Sequence, residues 1–215
     1  PSGSYTVEDY IADLDAVANY LQLEKFHLSG HSWGGLYAQI YAQERPQRLL
    51  SLFLCSPSSG TGDLWKQTEQ EVMRFNKSVT TNWQWLVMGW RSMLGALGSD
   101  RAYQRLFHRV LQNYNVGFAS VPENNDWLAG VAAAPVNKTR KSILNYAPLH
   151  RMDNCPFPVT ITYGERDIYG ESRRQVPERY PTANAVMIEN AGHLPWTQQP
   201  ERFRHILEVH FRPDI

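Results

Sequence analysis

The sequence is short of the features that would take a chain out of the ordinary globular classes. Its two cysteines, Cys55 and Cys155, have no C-x-x-C spacing, which excludes a disulfide framework and a cysteine-based zinc site. Both read as buried free thiols. No apolar run, Leu49 to Cys55 included, approaches the roughly 20 residues that span a bilayer, and the first residues carry no basic-then-apolar leader. Lys and Arg number 21, Asp and Glu 21, so no excess charge draws the chain to nucleic acid or to an anionic membrane. There is no internal repeat and no low-complexity tract. What remains is a 215-residue chain, long enough for one domain with an insertion and expected to be soluble and cytoplasmic. Its expected partner is a small molecule or short peptide, with no nucleic acid and no membrane.

The apolar periodicities then give an order of elements. Thr6 and Asp9 have capping-box spacing ahead of a stripe at Tyr10, Leu14, Val17, Ala18 and Leu21, which predicts a helix over about 6–22. Lys25 to Ser29 reads as a strand ending at Gly30, and a helix from Gly34 is stopped by Arg45-Pro46. Leu49 to Cys55 is a continuous apolar strand of the kind covered on both faces of a parallel sheet. From Thr61 to about Asn154 the character changes to helical segments that hold Trp65, Trp83, Trp85, Trp90 and Trp127. These tryptophans are expected to pack the insertion against itself, with the wall of an apolar pocket as the other reading. Strands return at Val159 to Tyr163 and Ala185 to Ile188, with helices near Arg173 to Arg179 and Glu201 to Phe211. The pattern predicts an α/β fold: a mostly parallel sheet with helices on both faces, split as 1–60 first core part, 61–154 helical cap and 155–215 second core part.

Gly30-His31-Ser32-Trp33-Gly34 fits G-x-S-x-G between a strand and a helix, a setting that exposes a serine on a strained turn above the sheet. A glycine-rich strand-to-helix turn with an incidental serine is the plain alternative. A serine hydroxyl needs a base, and the base needs an acceptor that fixes its tautomer. Ligands of open α/β sheets bind beyond the carboxyl ends of the strands, so the partners must follow strands. Among the seven histidines only His193 does so, after Ile188-Glu189-Asn190-Ala191-Gly192. Asp167 follows the strand Val159 to Tyr163 in Gly164-Glu165-Arg166-Asp167. Glu165 competes with it for the acid role, whereas Asp153 precedes the strand. Ser32, Asp167 and His193 are therefore the candidate catalytic residues, and this chemistry calls for no metal and no cofactor.

On Gly30-His31-Ser32-Trp33-Gly34-Gly35, Tyr163-Gly164-Glu165-Arg166-Asp167, Ala191-Gly192-His193-Leu194-Pro195-Trp196 and the lead-in Tyr5-Thr6-Val7-Glu8-Asp9-Tyr10, the sequence resembles the α/β-hydrolase superfamily, in its lid-bearing, proline iminopeptidase-like branch. The resemblance implies that the Trp33 backbone N–H belongs to the oxyanion hole and that the insertion caps the site. It also implies cleavage of a small amide or ester through an acyl-enzyme, most like a proline iminopeptidase, with a carboxylesterase or carbon–carbon bond hydrolase as alternatives. A binding protein on the same fold is the non-enzymatic rival. Glu69, Glu71, Glu123 and Asp126 are the insertion's carboxylates available to hold a substrate amine, each otherwise read as a solvated surface charge. Family members place several strands ahead of the nucleophile. Only 31 residues precede Ser32 here, so the N-terminal strands and the second oxyanion donor are expected on a further segment, itself a candidate partner.

Overall fold

A computed structural model of the chain describes residues 3–119 and 126–212. Among these, four strands form one parallel sheet in the order β1-β2-β3-β4: β1 (Phe26–His31), β2 (Leu49–Cys55), β3 (Val159–Gly164) and β4 (Asn184–Ile188). Parallel neighbours need crossovers, and helices supply them. Helix α1 (Val7–Tyr20) precedes β1, and α2 (Trp33–Glu44) joins β1 to β2. Between β2 and β3 stand α3 (Gly62–Ser78), α4 (Asn82–Ala96), α5 (Asp100–Tyr114), a 3-10 turn (Asp126–Gly130) and α6 (Ala133–Asn145). A 3-10 turn (Glu171–Arg174) and α7 (Gln175–Arg179) lead to β4, and α8 (Pro195–Gln198) and α9 (Pro200–His210) close the described chain.

Local signals explain the boundaries. Thr6 caps α1 reciprocally: its hydroxyl accepts from Asp9 N at 3.2 Å while Asp9 accepts from Thr6 N at 2.7 Å, satisfying two otherwise orphaned donors. Within β2, alternate side chains serve two cores. Leu52 and Leu54 join Ile11, Leu36, Ile40 and Tyr41 on the face covered by α1 and α2, while Phe53 and Cys55 meet Phe203, Ile206 and Leu207 of α9 on the other. From Ser51 to Cys55 the strand is buried on both faces, so it carries apolar side chains on each, and Ser51, its one polar residue, is hydrogen-bonded to His27 and His210.

Two boundaries differ from the sequence expectation, and both tighten the turn around Ser32. Gly30 and His31 stay in register with Leu54 and Cys55, so β1 runs on to His31, and α2 begins at Trp33. The whole strand-to-helix reversal is therefore one residue, Ser32. Close passage of the helix start over the strand makes this possible. A Cβ on Gly30 would lie 2.4 Å from Gly34 O, and one on Gly35 would lie 2.7 Å from the Pro57 side chain.

Candidate active site

The site is assembled at the carboxyl ends of β1, β2 and β3 and in the loop after β4. Ser32 holds φ 53° and ψ −118°, a left-handed conformation that costs a non-glycine residue of order 1–3 kcal/mol and persists only when the surroundings over-determine it. They do so here from both sides. Ser32 N donates to Cys55 O at 3.2 Å, and Ser32 O accepts from Ser58 N at 3.0 Å and Leu36 N at 3.2 Å. The turn leaves the Trp33 N–H at the first position of α2, where no intrahelical acceptor exists and the helix dipole is positive.

Three side chains predicted from the sequence come together. His193 Nε2 lies 3.1 Å from Ser32 Oγ, and His193 Nδ1 lies 3.0 Å from Asp167 Oδ1. His193 and Asp167 are buried. The Asp167 carboxylate accepts two further bonds, from Ser56 Oγ at 2.6 Å and Tyr169 N at 3.2 Å. Burial alone would raise its pKa, but the electrostatic attraction to His193 and the hydrogen bonds from His193, Ser56 and Tyr169 outweigh burial and hold it below the usual carboxylate value. Asp167 is thus ionised and in position to keep the proton of His193 on Nδ1, leaving Nε2 to accept from Ser32.

The competing candidates are used elsewhere. Glu165 Oε2 accepts from Asn190 N at 3.1 Å, bracing the acid loop against the histidine loop. Asp153 pairs with Arg151 at the surface. The neighbouring His31 donates from Nε2 to the His193 carbonyl at 2.9 Å, with its ring edge-on to Trp196. Burial, and next the proximity of His193, push the His31 pKa down to about 3, so it supports the site as a neutral imidazole.

Three residues at the site escaped the sequence reading. Tyr169 O–H lies 3.2 Å from Ser32 Oγ and 2.8 Å from Ser58 Oγ, and burial pushes its pKa up to about 12. When Ser32 donates to His193, its oxygen accepts from Tyr169, its other side-chain partner among the described residues, and Tyr169 then accepts from Ser58. All hydroxyl protons along Ser58, Tyr169 and Ser32 therefore point one way, towards the histidine. Ser56, the third, follows β2 at the same sheet edge, so the filter that found Asp167 applies to Ser56 and Ser58 as well.

The insertion is tied onto this edge. Trp65 of α3 packs on Trp33 with ring centroids 5.0 Å apart, and Tyr114 at the end of α5 lies edge-on to His193 at 5.0 Å. Gln198 accepts from Gly192 N at 2.6 Å and donates to Tyr114 O at 3.0 Å, linking the histidine loop to α5. Two expectations fail in this region. Glu71 is a buried brace rather than a solvated charge. It accepts from Gly170 N at 2.8 Å, Ser172 N at 3.0 Å and Ser172 Oγ at 2.5 Å, because the turn after Tyr169 presents donors that need an acceptor. Glu69 forms a two-pronged pair with Arg140. Glu123 lies outside the described residues. The tryptophans, too, largely fail to pack the insertion against itself: Trp65 is buried, whereas Trp83, Trp90 and Trp127 are exposed. Among the described residues no group of three or more His, Cys, Asp or Glu side chains is arranged to hold a metal, and no helix is long and apolar enough to cross a membrane.

A parallel sheet with helices on both faces, and a strained serine between a strand and the helix that follows it, define the class as α/β hydrolases. The profile of the alpha/beta hydrolase family matches residues 1–206, and the chain belongs to that family. It is 21% identical over 220 residues to a proline iminopeptidase of Lactobacillus delbrueckii subsp. bulgaricus, covering 95% of this chain and 71% of that protein. It is 27% identical over 192 residues to a pimeloyl-[acyl-carrier protein] methyl ester esterase of Aeromonas salmonicida, covering 86% and 69%. Among solved structures, a probable hydrolytic enzyme from Pseudomonas aeruginosa superposes with a TM-score of 0.68 at 20% identity, covering 99% of this chain and 72% of that one.

Proposed function

We propose that the protein is a serine hydrolase that cleaves a small ester or amide through an acyl-enzyme. The observation that carries this reading is the unbroken hydrogen-bond line from Asp167 through His193 to Ser32, ending on a residue held at positive φ. In the proposed mechanism His193 takes the Ser32 proton as Oγ attacks the carbonyl carbon, and Asp167 stabilises the imidazolium that forms. The tetrahedral oxyanion faces the Trp33 N–H at the start of α2. Collapse expels the alcohol or amine, which takes the proton from His193, and water activated by His193 then releases the acid. Fluorophosphonates and nitrophenyl esters test the acylation step. A burst of nitrophenol stoichiometric with protein, lost in Ser32→Ala, is the expected result; steady release with no burst, unchanged in Ser32→Ala, would reject it.

For the substrate, the proline iminopeptidase relatives support a peptide with a free terminal amine. The state of the insertion's carboxylates favours a second reading, an ester. Glu71 is buried and its oxygens are taken up by the Gly170–Ser172 turn, and the Glu69 charge is already paired with Arg140, so both are weaker anchors for a substrate ammonium than free carboxylates would be. Short-chain nitrophenyl esters and a proline arylamide assayed in parallel separate the two, with faster ester turnover expected by more than the intrinsic lability of the ester.

A further inference from the structure

Helix α4 is built inside out. It buries Met88 and Gly95, against which the Tyr103 ring packs, and it turns its larger apolar side chains outwards. Trp83, Leu86, Trp90, Met93 and Leu97 recur at alternating three- and four-residue steps and are between 46% and 79% exposed. That spacing places them on one stripe of the helix. Between α4 and α5 this surface forms a groove of about 560 Å³ whose charged lining among the described residues is Arg91, Arg101 and Arg105, with no carboxylate. On the other flank of α4, Trp85 sits with Met73, Arg74 and Lys77.

The acids of α3 to α5 do not offset these cations. Asp63 pairs with Lys66 at 2.8 Å, Glu69 with Arg140, and Glu71 is buried against Ser172, while Asp100 accepts from Ala133 N at 2.6 Å. Among the described residues, none of Arg74, Lys77, Arg91, Arg101 and Arg105 forms an ion pair. The balanced net charge that excluded an anionic partner on sequence grounds is therefore an average over the whole chain and does not hold on this face. A second copy of the chain is a poor occupant, because a two-fold contact on this stripe sets arginine against arginine. An apolar crest with tryptophans, flanked by cations, matches the acyl and headgroup layers of a lipid surface.

We propose that the α4–α5 face docks the protein on an anionic lipid surface, with Trp83, Leu86 and Trp90 entering the acyl boundary and Arg91, Arg101 and Arg105 reaching lipid phosphates. The proposal goes beyond the hydrolytic reading and does not depend on it. Co-sedimentation of the protein with phosphatidylcholine vesicles, with and without phosphatidylserine, tests it, using tryptophan emission as a second readout. Binding to the anionic vesicles, with a blue shift, is expected, weakening as salt shortens the range of the surface charge. The combined R91Q, R101Q and R105Q variant should partition roughly 100-fold more weakly, and W83A with W90A should abolish the blue shift, both with unaltered circular dichroism. Absence of binding, equal binding to neutral and anionic vesicles, indifference to salt, or a stable dimer cross-linked through position 90 would each overturn the proposal. Bound protein that does not react with a fluorophosphonate would leave this surface standing and reject the hydrolytic reading instead.

Discussion

Replacing Asp167 by asparagine separates charge from shape at the candidate site. In the native site one carboxylate oxygen accepts from His193 Nδ1 at 3.0 Å and Tyr169 N at 3.2 Å, and the other from Ser56 Oγ at 2.6 Å. A carboxamide of the same shape can sit two ways. With its NH2 towards His193 it meets the rigid Tyr169 N–H, donor against donor; with its NH2 towards Ser56 it meets a hydroxyl that can rotate and accept. The second arrangement is favoured, so the histidine keeps its tautomer and loses only the neighbouring charge. A unit charge at about 4 Å and an effective dielectric of about 20 amounts to ~4 kcal/mol, or ~1000-fold in rate. The expected result is a ~1000-fold fall in kcat/KM on a nitrophenyl ester in Asp167→Asn, and a further fall when Ser56→Ala removes the hydroxyl that orients the amide. A fall of less than ~10-fold would mean that the carboxylate does not act on His193. An unchanged rate on adding Ser56→Ala would refute the orienting argument.

The remaining predictions concern neighbours of that line. Tyr169→Phe removes the hydroxyl that fixes the Ser32 proton towards His193, and acylation should slow roughly 10-fold with folding almost unaffected; stopped-flow acylation rates check this, and an unchanged rate would exclude Tyr169 from the site's chemistry. Glu71→Ala leaves two backbone N–H groups and a hydroxyl without their acceptor and should cost about 3 kcal/mol in urea unfolding; a loss within error of zero would mean that Glu71 is not a brace. For His31 the folded pKa, about 3, lies below the ordinary 6.5, so the unfolded chain binds the extra proton. Stability is therefore full above pH ~6.5 and falls as pH drops towards ~3, by about 3 kcal/mol at pH 4. The Asp167 carboxyl, also lowered, adds acid sensitivity only where that group protonates. Urea midpoints across this range should slope downwards, less steeply in His31→Gln, and identical slopes would contradict the assignment.

Legibility in the sequence followed the physics of each signal. Strands buried on both faces announce themselves as apolar runs, and the capping box at Thr6 is purely local, so the element order was readable to within a few residues. That Asp167 and His193 meet Ser32 could be anticipated because a parallel sheet brings the loops after its strands to one edge, a rule that needs topology but no distances. Tyr169 and Ser58 were not found, since their meeting with Ser32 depends on the register that pairs Cys55 with Thr162, set by tertiary packing. Glu71 and the tryptophans were misread for a related reason. Helix α4 is apolar around most of its circumference, with Arg91 as its one charged residue, so periodicity identifies a helix there without saying which face is buried. A composition average likewise conceals how charge is distributed over a surface.

Hydrolysis by this site requires Ser32 Oγ to be the nucleophilic oxygen, the one an electrophilic phosphorus traps. Peptide mass spectrometry after treatment with a fluorophosphonate measures this directly. The adduct should fall on Ser32, should disappear in Ser32→Ala, and should form far more slowly in His193→Ala. Modification of any other hydroxyl with Ser32 untouched, or equal labelling of Ser32 with and without His193, would contradict it.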